Sequence, residues 1–119
     1  MRIGELSRRS GVSARSLRYY EQHGLLAARR GSNSYREYDD DAVHRAETIR
    51  MLFGMGFPRD VVRSVLRCTG DGNDASHDIL AEQLEQVRVD LAQQIESLTD
   101  THEQVSTFLA NRRRQADAV

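Results

Sequence analysis

At 119 residues the chain is long enough for about one small domain, and one proline with a 29% charged fraction favours a helical protein. No apolar run approaches the ~20 residues that a membrane crossing needs, and no signal-peptide core is visible, so a cytoplasmic location is expected. A single cysteine, Cys68, excludes an intrachain disulfide framework and a multi-thiolate metal site within one chain. The net charge of −1 hides an asymmetry: residues 1–67 hold 13 Arg against 8 acidic residues, and residues 68–119 hold 4 Arg against 10. A basic front half is the electrostatic footprint of a polyanion binder.

Ile3 to Arg9 reads as a short first helix with Ile3 and Leu6 as its buried edge. Ser10-Gly11-Val12 makes a tight turn, where Gly11 supplies the positive φ of a sharp change of direction. Ser13 stands at the N-cap of a second helix and accepts from amides that would otherwise be unpaired. That helix runs to about His23 and is closed by Gly24. Two short helices around a glycine turn form a helix-turn-helix. Beyond Leu25-Leu26, the cluster Arg29 to Ser34 reads as a turn between short extended pieces, with Tyr35 and Tyr38 in the returning one. This predicts a small hairpin wing with Asn33-Ser34 at its tip. Asp39, Asp40 and Asp41 are expected to cap a third helix at the positive end of its dipole. Val43, Ala46, Ile49 and Phe53 form that helix's stripe, and Gly54 and Gly56 end it. Pro58 suits the first turn of a fourth helix, whose buried side is Val61, Val62, Val65 and Leu66.

Residues 1–68 therefore make one domain and residues 69–75, rich in glycine and aspartate, a linker. Residues 76–113 contain no proline or glycine and read as one helix of about 55 Å, with 114–119 as a flexible tail. Leu80, Leu84, Val87, Leu91, Gln94, Leu98, Thr101, Val105 and Phe108 alternate steps of four and three, a heptad seam with seven apolar positions of nine. Such a seam needs a partner helix, and the economical partner is the same helix of a second copy. The expected architecture is mostly α: a winged helix-turn-helix DNA-binding domain followed by a long coiled-coil dimerisation helix.

On a wheel of 100° per residue, Arg15, Arg18, Tyr19 and Gln22 share one arc of the second helix, while Leu17 and Tyr20 point the opposite way. Guanidinium groups on such an arc grip phosphates or the O6/N7 edge of guanine. A merely solvated helix face is the bland alternative, weakened by its positive charge and its position after a capped glycine turn. Tyr35 and Arg36 invite the same reading on the wing. Tyr38 reads as core, and Tyr20 as a buried ring whose hydroxyl reaches for a phosphate.

Taken together, Ile3-Gly4-Glu5-Leu6, Gly11-Val12-Ser13, Leu17-Arg18-Tyr19-Tyr20-Glu21, Gly24-Leu25-Leu26, Tyr35-Arg36 with Tyr38, and Gly54-Met55-Gly56-Phe57 resemble the MerR family of bacterial transcription regulators. The resemblance covers residues 1 to about 67; the terminal helix is similar in pattern to the family's dimerisation helix. It implies a homodimer joined by an antiparallel coiled coil, bound to an inverted repeat in double-stranded promoter DNA. Members bend and untwist that DNA so that RNA polymerase meets realigned promoter hexamers. By the same resemblance Arg15, Arg18, Tyr19, Tyr20, Tyr35 and Arg36 occupy DNA-contact positions, with Ser13 beside them at the cap. Asn33-Ser34 departs from the family's usual Asn-Gly. Metal-sensing members carry cysteines beyond the long helix and drug-sensing members a ligand domain; neither is expected here.

Other features weigh less. Cys68 is either a thiol sensor next to Arg67 or a small buried hydrophobe. Asp71, Asn73 and Asp74 lack the spacing of a calcium loop. No cofactor, metal site or catalytic residue is expected, and the sequence does not identify an effector. The competing functional class is a protein-interaction or architectural module built on the coiled coil.

Overall fold

The computed structural model describes residues 1–31, 35–69 and 73–118. In chain order its elements are α1 (Ile3–Ser10), α2 (Ala14–Gln22), β1 (Arg29–Arg30), β2 (Arg36–Glu37), α3 (Asp41–Gly54), α4 (Arg59–Cys68) and α5 (Asp74–Asp117). The wing tip expected at Asn33-Ser34 and the linker residues 70–72, Asp71 among them, lie outside the described residues. Two units are distinguished, Met1–Leu80 and Ala81–Val119.

In the first unit, α1 packs against α2 and α3, and α4 against α3. Their shared core holds Leu6, Val12, Leu17, Leu25, Ile49 and Val62, all at most 2% exposed. Burying each such aliphatic side chain stabilises the fold by about 1.5–3 kcal/mol. The turn between α1 and α2 depends on Gly11, whose φ of 73° puts it in the left-handed region, and its amide closes α1 by donating to the Ser7 carbonyl at 2.9 Å. Gly24 likewise takes φ 71° just past the end of α2. The hairpin is antiparallel, with Arg29 opposite Glu37 and Arg30 opposite Arg36. Tyr35 and Tyr38 flank β2 and do not belong to it. At its exit Tyr38 exchanges backbone hydrogen bonds of 2.7 and 2.8 Å with Met1.

Three local expectations need correction. The Asp39–Asp41 run makes no side-chain cap on α3; instead Asp39 pairs with Arg29 at 3.2 Å and Asp40 with Arg9 at 3.5 Å. Asp40 still stands at the N-cap position and Asp41 in the first turn, so the acidic end faces the helix dipole as expected, while Asp39 and Asp40 make exposed ion pairs to the wing and α1. The stripe of α3 is rotated: Ala42, Ala46, Ile49 and Leu52 are buried, while Val43 and Phe53 are only partly so. And α5 begins at Asp74, ahead of the expected Ser76, because Asn73 Oδ1 accepts from the Ser76 amide at 2.9 Å and so caps it. It also continues past Arg113 to Asp117, where the run Arg112 to Arg114 suits the negative end of a helix dipole. Cys68, the last residue of α4, is half-buried and unpaired.

No residue of α5 is buried. Of its seam leucines, Leu84, Leu91 and Leu98 stand exposed, Leu98 at 69%, while Leu80 is half-buried. No helix among the described residues is long and apolar enough to cross a membrane.

Candidate nucleic-acid interface

The second helix of the helix-turn-helix starts as its sequence dictates. Ser13 is extended (φ −62°, ψ 151°), its Oγ accepts from the Ser16 amide at 3.1 Å, and its hydroxyl donates to Ser16 Oγ at 3.0 Å. With that hydroxyl engaged, the groups left to meet an anion here are the first-turn amides of α2. Leu17 is fully buried and Tyr20 is 5% exposed, so the helix is locked to the core by one side. The opposite side presents Arg15, Arg18, Tyr19 and Gln22 to solvent. Among the described residues neither Arg15 nor Arg18 has an ion-pair or hydrogen-bond partner, so their donors stay available.

Tyr19 is 41% exposed but not loose. Its ring lies 4.3 Å from that of His23, and its hydroxyl accepts from Arg59 Nη1 at 3.4 Å. The same Arg59 nitrogen donates to His23 Nε2 at 3.2 Å, and Arg63 donates to the His23 carbonyl at 2.6 Å. Two arginines of α4 thus grip the C-terminal end of α2, which sequence reasoning missed. Their i,i+4 spacing, on the flank of the buried side formed by Val62 and Leu66, was the signal available. Tyr20 stacks on Phe53 at 5.9 Å, and burial raises its phenol pKa against a lowering influence from Arg50.

On the wing, Tyr35 is 57% exposed and carries the Arg2 guanidinium over its ring at 4.3 Å. Arg36 Nη1 donates to Glu21 Oε2 at 3.1 Å, and the Tyr38 hydroxyl donates to the same oxygen at 2.9 Å. Glu21 therefore ties α2 to the wing strand. Tyr38 is 2% exposed, and its phenol is pushed up to about 12, first by burial, then by the hydrogen bond and negative charge of Glu21. The structure brings Arg18, Tyr35 and Arg36 around one cleft of about 320 Å³, together with Arg2, Ile3 and Tyr38. Arg15 and Tyr19 lie outside that cleft, further round the exposed face of α2.

The basic excess of this unit divides between two tasks. Arg45 Nε donates to the Leu25 carbonyl at 2.7 Å and Arg50 Nη1 to the Gly11 carbonyl at 2.9 Å, as Arg63 does to His23. These three arginines hold the loop carbonyls around the helix-turn-helix; the cations on α2 and the wing face outward. Among the described residues no group of three or more His, Cys, Asp or Glu is placed to hold a metal ion.

Comparison with known proteins shows the family. The profile of MerR HTH family regulatory proteins matches residues 1–68. The chain is 40% identical over 101 residues to the HTH-type transcriptional regulator HmrR of Sinorhizobium medicae (strain WSM419), covering 84% of this chain and 68% of that protein. It is 41% identical over 88 residues to the heavy metal-dependent transcription regulator 2 of Rhizobium meliloti (strain 1021), covering 73% of this chain and 60% of the relative. The chain thus spans 60 to 68% of the length of these two relatives. Among solved structures, HiNmlR, a MerR family regulator lacking the sensor domain and bound to promoter DNA, shares the fold with a TM-score of 0.58 at 22% identity, over 82% of this chain and 77% of that one. A family match over more than half the chain, with relatives at this level of identity, makes the protein a member of the MerR family of helix-turn-helix transcriptional regulators.

Proposed function

We propose that the protein acts as a homodimer on an inverted repeat within a promoter and regulates transcription by bending and untwisting that DNA. The observation that carries this reading is the outward face of α2, where Arg15 and Arg18 are exposed and, among the described residues, without a partner, beside a helix side held by Leu17 and Tyr20. A rigid helix with guanidinium forks on its solvent face is what direct readout in a major groove requires. Arg15, Arg18 and Tyr19 contact the duplex from α2, Ser13 stands beside them at its cap, Tyr35 and Arg36 press on adjacent phosphates from the wing, and the Tyr20 hydroxyl adds to them from the edge of the core. The exposed seam of α5 joins two copies in an antiparallel coiled coil, which sets the distance between their reading helices. HiNmlR is described as bound to promoter DNA, which supports the same use of the fold here. Deformation of the duplex then presents the promoter to RNA polymerase, at an energetic cost of order 1–6 kcal/mol that two sets of phosphate contacts offset.

The test is a gel-shift titration at moderate salt, comparing DNA from upstream of the protein's own operon with a random duplex of equal length. Tighter binding to the promoter, with an inverted repeat protected in a footprint, is expected. Equal affinity for both would remove the sequence-specific reading.

A further inference from the structure

Arg2 belongs to no contact predicted for the interface, yet its surroundings are those of an anion site. Its guanidinium lies over the Tyr35 ring at 4.3 Å, and it lines the cleft of about 320 Å³ shared with Arg18 and Arg36. Stacking occupies the face of a guanidinium and leaves its five N–H donors, all in the plane, directed outward along the edge. Among the described residues no acid pairs with Arg2 or Arg18, so those donors have no internal anion. Glu21, which hydrogen-bonds a cation of the cleft, is taken up by Arg36 at 3.1 Å and Tyr38 at 2.9 Å. A second feature points the same way. Arg2 is the N-cap residue of α1 and Ile3 its first residue, both line the cleft, and no side chain caps that end of the helix. First-turn amides without a cap carry partial positive charge.

We propose that Arg2, Arg18 and Arg36, with Tyr35 as the stacking platform, form one seat for a single backbone phosphate of the bound duplex, making Arg2 a DNA-contact residue. The inference rests on the proposed DNA-reading function, because the cleft opens between α2 and the wing strand, both assigned to the duplex. A phosphodiester oxygen pair matches the bidentate edge of a guanidinium. Because a phosphate carries no base identity, this seat adds affinity and register but no sequence preference.

The experiment measures affinity against salt concentration for the full chain, on the promoter inverted repeat and on a random duplex. Arg2→Ala is expected to weaken binding roughly 3- to 10-fold on both duplexes alike, and to reduce the slope of log K against log salt by about 0.9 per bound protomer. Arg2→Lys, which keeps the point charge, should restore the slope. Arg67→Ala, the same charge loss at the exposed end of α4 outside the cleft, should leave it unchanged. Should Arg2→Ala melt early, Arg2→Gln carries the same comparison. A wild-type slope and affinity in Arg2→Ala, or an equal effect from Arg67→Ala, would overturn the seat. So would tight binding of inorganic phosphate to the protein alone with DNA affinity indifferent to Arg2, which would give the cleft to a small anion. A wild-type protein that binds both duplexes equally would instead sink the sequence-reading function, while the slope on the random duplex still decides the seat.

Discussion

Arg18 occupies the one position where the exposed face of α2 meets the cleft beneath the wing, so it can serve both groove and backbone. Replacing it with alanine removes up to a bidentate contact, worth about 1–3 kcal/mol. Operator affinity should therefore fall about 5- to 150-fold, while the circular dichroism spectrum and sedimentation coefficient stay those of the wild type. Unchanged affinity in a gel shift would show that this face does not read DNA. Tyr38 makes the opposite kind of prediction, one about stability. Tyr38→Phe deletes the hydrogen bond to Glu21 and should cost about 1–2 kcal/mol in urea unfolding at neutral pH. Because the folded phenol is raised from 10.0 to about 12, the stability it contributes is complete below pH 10 and lost as pH rises through 12. The variant should lose that alkaline component of its pH profile; a wild-type profile would contradict the assignment. Individual residues were only partly legible in the sequence. Leu17, Tyr20 and Tyr38 could be placed in the core because helical period and chain order fix which side they face. That Arg45, Arg50 and Arg63 serve loop carbonyls could not, since an arginine that grips a carbonyl across 20 to 40 residues of chain carries the same letter as one that grips a phosphate.

At the scale of elements, α2 depends on its cap more than on its length, since nine residues are too few for a helix to persist on propensity. Ser13→Ala removes the acceptor for the Ser16 amide and should destabilise the first unit by about 1 kcal/mol, readable as a lowered melting temperature. An unshifted melt would mean that tertiary packing alone sets the start of α2. The long helix α5 obeys a different rule: 44 residues with none buried have no reason to stay dry-faced except through a partner. Leu91→Asp places a charge in the middle of its seam and should convert a dimer to a monomer in sedimentation, with DNA binding lost as a consequence. A variant that sediments as a dimer would place the contact elsewhere. Elements were the most legible level of this chain, because glycine turns, a serine cap and a heptad period are local signals. Their ends were less so: α5 starts at Asp74 under an Asn73 cap and not at Ser76, and the aspartates before α3 pair with arginines that only the folded chain brings near.

For the whole molecule, the uneven distribution of charge acquires a use. On the proposed function the first 67 residues are basic both to meet a polyanion and to supply arginines that stitch their loops, while the acidic remainder is largely the long helix assigned to dimerisation. The proposed dimer converts a modest contact surface per protomer into a spaced pair, whose separation is a property of α5 and not of the reading helices. Repositioning the half-sites tests this directly. With the inverted repeat intact, two protomers should bind per duplex; inserting about five base pairs, half a helical turn, between the half-sites should abolish tight binding. Sedimentation of the complex on both duplexes reads stoichiometry and affinity at once. A single protomer per site, or undiminished binding to the respaced repeat, would contradict the account.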